Sequence, residues 1–173
     1  MPAESGSATF YNYKLLRRIA IPKALIGGLS TLPFIWLLAE IVFISWTSIF
    51  TFLLALFIVL WIQFVITRSV LIIISHSYKK RWHFKMRLPW IGYLPEQFVS
   101  YSTFRRTQHY ATWIGGCIIA ILIPWSPVSF IMALLFWHLW FLAPRLIILI
   151  RFRKQPRDGI IKLTPQDASY YMP

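Results

Sequence analysis

Carboxylates are scarce in this chain. Five Asp and Glu stand against 18 Lys and Arg, and Glu40 alone of the five lies well inside an apolar stretch. The paired carboxylates that general acid–base catalysis uses, and the acidic clusters that hold phosphoryl-transfer metals, are therefore missing. No nucleophile–base arrangement and no Gly-rich phosphate loop stands in for them. The expectation is a non-catalytic protein with no cofactor and no metal. The single cysteine, Cys117, excludes an intramolecular disulfide and any multi-cysteine metal site; inside an apolar run it reads as a small buried residue. Charge of either sign is sparse, at 13% of residues, where a soluble domain carries about 25%. With 58% hydrophobic residues and a mean hydropathy of +0.62, the chain has too few charges to coat a water-facing surface. Lipid is its expected solvent.

The cations that are present fall into three blocks separated by two long apolar stretches. The first block is Lys14, Arg17, Arg18 and Lys23. The second is Lys79, Lys80, Arg81, Lys85, Arg87, Arg105 and Arg106, and the third is Arg151, Arg153, Lys154, Arg157 and Lys162. The other two, Arg68 and Arg145, sit inside or at the edge of the apolar stretches. A membrane helix needs about 20 residues, so each stretch is long enough to cross twice. The positive-inside rule then predicts two helical hairpins, with both turns outside and all three basic blocks in the cytoplasm. The expected fold is an all-α integral membrane protein with four transmembrane helices and added interfacial amphipathic helices. Its expected location is a bacterial cytoplasmic (inner) membrane, with both termini cytoplasmic.

Five segments follow from this reading. Residues 1–25 form a polar tail and an amphipathic interfacial piece, 26–75 the first hairpin, and 76–109 a cytoplasmic interfacial linker rich in rings. Residues 110–150 form the second hairpin, and 151–173 an extended tail. Tight turns are expected near Trp46-Thr47-Ser48 and at Pro124-Trp125-Ser126-Pro127, with Trp46 in the outer aromatic belt. Helix three, from about Tyr110 to Ile123, is short for a full crossing and invites tilt or local thinning of the bilayer. One echo suggests duplication of a hairpin unit: Arg17-Arg18 precedes Gly27-Gly28 by eight residues, and Arg105-Arg106 precedes Gly115-Gly116 by eight.

Four residues make up a candidate intramembrane polar or partner-contacting set: Glu40, Arg68, Arg145 and His138. A carboxylate in a membrane span faces a partner or a polar cavity, or is neutralised by burial. Arg68 and Arg145 stand where the inner headgroups begin, and there a guanidinium snorkels to phosphate. Beyond them the apolar rods Leu71–Ile74 and Leu146–Ile150 would project toward water unless covered, which marks them as docking or interfacial surface. The candidate lipid-headgroup ligands are Arg17, Arg18, Lys79, Lys80, Arg81, Arg105, Arg106, Arg151 and Arg153. A b-type haem needs two axial histidines at similar depth; His76 and His109 are the one pair that fits, and His138 has no counterpart. The basic residues flank spans rather than forming one soluble face, so no nucleic-acid partner is expected.

The segment Pro22-Lys23-Ala24-Leu25-Ile26-Gly27-Gly28, placed before a tight hairpin, resembles the lead-in of the small inner-membrane subunits of type IV secretion machines. That resemblance implies a secretion or conjugation apparatus as one class of assembly. The leading functional expectation is a non-catalytic membrane subunit, a scaffold or accessory component of a larger transport or secretion complex. Its expected partners are anionic lipids and other membrane subunits or copies of itself. The alternatives are a small oligomeric channel or carrier lined by Glu40 or Arg68, a haem-bearing electron-transfer anchor, and a membrane-shaping hairpin protein.

Overall fold

A computed structural model describes residues 14–74, 82–96 and 98–172. Among them are four α-helices and two antiparallel sheets, with 64% of the described residues helical and 21% in strands. The all-α expectation is therefore wrong. Strand β1 (Lys14–Ala20) leads through Pro22 into α1 (Lys23–Phe43). After the turn at Ile44–Thr47, α2 runs Ser48–Ile74. The hairpin β2 (Trp82–Arg87) and β3 (Trp90–Pro95) follows, then the short β4 (Val99–Ser100), which runs straight into α3 (Tyr101–Leu122). A single 3-10 turn at Ile123–Trp125 reverses the chain into α4 (Val128–Arg151), and β5 (Ile160–Leu163) and β6 (Asp167–Met172) complete it.

Three helices, α1, α2 and α4, are long and apolar enough to cross a membrane. This is one fewer than the four expected. Helix α3 falls short because it starts nine residues earlier than Tyr110 and carries Arg105, Arg106 and His109 along its first half. Both inter-helix turns lie at one end of the bundle. All four open helix ends meet the strands at the other.

The β layer overturns three expectations about the polar segments. The first amphipathic piece is a strand, β1, paired antiparallel with β6 from Lys14↔Met172 to Ala20↔Asp167, with the register shifting between Leu15 and Arg17. The ring-rich linker contains a hairpin, with Trp82 opposite Pro95 and Arg87 opposite Trp90. Its period of two is visible in Trp82, Phe84 and Met86 alternating with His83, Lys85 and Arg87. The last segment is no exposed tail either. Strands β5 and β6 are the two middle strands of a sheet ordered β1-β6-β5-β4, and Tyr170 is fully buried. Arg18 is ion-paired with Asp167 across the β1–β6 seam. Thr164 closes the β5–β6 connection, its backbone N–H donating to the Asp167 carbonyl at 2.9 Å.

The layer also explains the projecting rods. Leu71, Ile148 and Leu149 are buried in one cluster with Trp82, Trp90, Leu94, Phe104 and Tyr170. The apolar helix ends thus pack on their own chain's sheets. Ile73 and Ile150 stay 83% and 68% exposed on the outer sides of the same rods. A bond from Trp90 Nε1 to the Thr164 carbonyl at 2.6 Å ties the hairpin to the four-stranded sheet. Lower in the bundle a second, aromatic core joins Phe52 of α2 to Phe136, Trp137 and Phe141 of α4. There the Trp137 indole donates to the Phe52 carbonyl at 3.0 Å. Helix α1 leans on this core from outside, through Trp36 stacked on Phe136 at 5.0 Å and the Trp140 indole donating to the Leu29 carbonyl at 3.0 Å.

Candidate functional site

The arrangement of polarity is inverted relative to a water-soluble bundle. Apolar rings point outward: Phe34, Phe43, Phe57, Trp61, Trp113 and Trp125 are 66–86% exposed. Polar side chains point inward. Gln63 and Thr67 on α2, Thr107 and Gln108 on α3, and His138 and Arg145 on α4 are all buried.

Arg145 is the centre of this interior. It is 1% exposed, and no carboxylate among the described residues pairs with it. Its Nη2 donates to the Ile91 carbonyl on β3 and its Nη1 to Gln108 Oε1 on α3 at 3.4 Å. One guanidinium thus joins α4, α3 and the hairpin. Gly92 makes the space: a Cβ there would overlap Nη2, and the backbone φ of +112° favours glycine in any case. Among the described residues, Arg145 Nε, Gln108 Nε2, Thr67 Oγ1 and both amide atoms of Gln63 lack a partner. Such groups each cost about 1–3 kcal/mol when buried.

Glu40 is 4% exposed and is the one buried residue of α1. One carboxylate oxygen accepts from Trp36 Nε1 at 2.8 Å, a bond between neighbouring turns of the same helix, and the other has no partner among the described residues. His138 packs where Gly115 leaves room, with Nε2 at 3.4 Å from the Thr112 carbonyl; a Cβ at Gly115 would overlap the ring. Arg68 is on the outside of α2, its guanidinium 5.8 Å from the centre of the Phe64 ring. Glu40 lies close to the turn and Arg68 lies 20 residues along α2. At 1.5 Å per residue they stand roughly 25 Å apart along the bundle, so within one chain they do not line a common path.

The headgroup candidates divide into two kinds. Arg17 and Arg18 hold the β layer together: Arg17 Nη1 donates to the Arg151 carbonyl at the end of α4 at 3.0 Å, and Arg18 pairs with Asp167. Arg151 and Arg153 are exposed at the same end. Arg105 and Arg106 instead border a groove of about 680 Å³, together with His109 and Trp113 of α3 and Arg157 from the turn after α4. Lys79, Lys80, Arg81 and His76 lie outside the described residues, which leaves the His76–His109 haem pair without a described partner for the exposed His109. Cys117 is exposed on α3, contrary to the buried reading, because it faces away from α4 while Gly115 faces toward it. The Arg-Arg/Gly-Gly echo also joins unlike structures. Its first arginine pair is on a strand and its second on a helix, and Gly27 and Gly28 touch nothing where Gly115 meets His138.

Sequence reasoning passed over Gln63, Thr67, Gln108 and Gly92, and placed Arg157 only in the third basic block. Gln63 and Gln108 carried a usable signal, since an amide inside an apolar helical run seeks an interior partner. Comparison with family models, with curated proteins and with solved structures gives no match. The resemblance at Pro22–Gly28 rests on those seven residues alone.

Proposed function

We propose that this chain is a multi-pass membrane protein serving as a non-catalytic subunit of a larger membrane assembly. The observation that carries the reading is α1. Of its 21 residues only Glu40 is buried, while Phe34, Ile35, Leu38, Val42 and Phe43 are 64–86% exposed. A helix with its single carboxylate turned to the protein and its rings turned outward suits lipid or another apolar helix, and it does not suit water. The interior supports a structural role. Arg145, Gln108 and His138 bond to backbone or amide groups of their own chain rather than converging on an open cleft. Among the described residues no three His, Cys, Asp or Glu gather as a metal site.

In this reading the apolar helices α1, α2 and α4 lie in the membrane with α3 packed against α2 and α4, the β layer seals the basic end, and the loosely attached α1 faces a partner. With the basic blocks at one end, the positive-inside rule puts that end in the cytoplasm. The test is native co-purification from membranes at endogenous level, followed by mass spectrometry. A reproducible membrane-protein partner, lost when Leu38 and Val42 are both changed to Ala, supports the proposal. A stable monodisperse chain that brings no partner overturns it.

A further inference from the structure

The groove along α3 has a chemistry that the fold does not use. Arg105, Arg106 and Arg157 converge on it from two elements, and none of the three is ion-paired among the described residues. No carboxylate among the described residues lines it. By contrast, Arg17 and Arg18 at the same end are both engaged in holding β1 in place. The groove is also graded. Ser102, Arg105, Arg106 and His109 form its upper part beside the β layer, and Trp113 and Ile114 form its lower part, where α3 becomes apolar. From Arg105 to Trp113 is eight residues, about 12 Å of helix. That spans the passage from headgroups to hydrocarbon, since each polar layer is only about 5–7 Å deep. Trp113 is 71% exposed and Ile114 41% exposed, so the apolar floor is open to an acyl chain.

We infer that this groove binds the headgroup of one anionic glycerophospholipid, with Arg105, Arg106 and Arg157 around the phosphate and Trp113 and Ile114 against the chain. Guanidinium forks match phosphate oxygens two at a time, and three of them with no internal counter-charge favour a net anionic lipid over a zwitterionic one. The inference rests on membrane embedding but not on the existence of a partner subunit.

The experiment is native mass spectrometry of the full chain released from nanodiscs of equal phosphatidylglycerol and phosphatidylcholine. One phosphatidylglycerol is expected to remain bound at energies that strip phosphatidylcholine. Near a membrane surface each basic residue is worth about fivefold in affinity for anionic lipid. Retention should therefore fall on the order of a hundredfold in R105Q/R106Q/R157Q, and stay unchanged in K23Q/K154Q, which removes exposed cations outside the groove. Equal retention of both lipids by the wild-type chain overturns the inference, even if the triple variant does not fold. An equal loss in K23Q/K154Q also overturns it, since that indicates diffuse surface charge. Displacement of the lipid by millimolar inorganic phosphate overturns it too, by assigning the groove to a free anion. A chain that enters nanodiscs but shows no lipid preference fails here alone; one that does not enter them fails the membrane reading.

Discussion

Gly92→Ala, made with and without Arg145, tests the link between the hairpin and the helices. Two penalties follow from the geometry. The backbone at φ +112° disfavours any Cβ, at about 1–2 kcal/mol. The new methyl also displaces the guanidinium from the Ile91 carbonyl, and a hydrogen bond from a charged donor is worth about 1.5–3 kcal/mol. The sum is about 3–4 kcal/mol. For a chain of 173 residues, each kcal/mol moves the melting midpoint by about 2–4 °C, so a drop of about 10 °C is expected. Arg145→Met provides the reference background, replacing a buried cation with an apolar chain of similar reach. There Gly92→Ala should cost only the backbone part, about 1–2 kcal/mol. The coupling of about 2 kcal/mol is read from thermal unfolding of the four proteins in mild detergent, followed by circular dichroism. Equal losses in both backgrounds would refute the argument that the guanidinium occupies the space at Gly92.

Three further outcomes are expected. Gly115→Ala should destabilise by about 1–3 kcal/mol because the His138 ring fills the space a methyl needs, whereas Gly116→Ala, which meets nothing, should be neutral or gain up to about 1 kcal/mol of helix propensity; the same melting assay separates them. Trp36→Phe removes the donor to Glu40 and should destabilise by about 1–3 kcal/mol, while the same change in a Glu40→Leu background should cost clearly less; equal costs would show that the carboxylate does not depend on the indole. Burial raises the Tyr170 hydroxyl above its ordinary value, the Gly159 backbone bond lowers it, and Tyr101 and Asp158 raise it further. The neutral form's contribution is then complete below pH about 10, the unfolded value, and is lost as pH climbs through the raised folded value. Burial raises Tyr101 as well, so absorbance at the tyrosinate band should show a late step from this pair, and a Tyr170→Phe variant should shrink that step.

The apolar helices and their turns were legible because length and hydropathy are properties of local composition, although α3, charged along its first half, falls short of a span. Both turns, at Ile44–Thr47 and at Ile123–Pro127, fall where Trp46 and the Pro124–Pro127 motif placed them. The β layer was legible only in part. Trp82–Arg87 alternates with period two and is followed by Leu88-Pro89, a hairpin signal that the density of rings disguised as interfacial helix. Strand β1 gave less warning. Its partner β6 is some 150 residues away, and no local pattern encodes a pairing of that separation. The interior was hidden for a related reason. Arg145 looks like a snorkelling arginine until β3 is known to lie over it, because its acceptor is a backbone carbonyl that carries no side-chain signature.

The strand order β1-β6-β5-β4 has a consequence for biogenesis. Its two central members follow every helix, and its two edges precede α1 and α3. Lys14–Ala20 leaves the ribosome first of the described segments and finds its hydrogen-bonding mate only after all four helices have been translated. Synthesis of both helical hairpins therefore comes before closure of the layer, and the waiting edge strand is an open pairing surface for the duration of synthesis. Its four cations in the ten residues from Lys14 to Lys23 guard that open edge against pairing with other chains in the meantime.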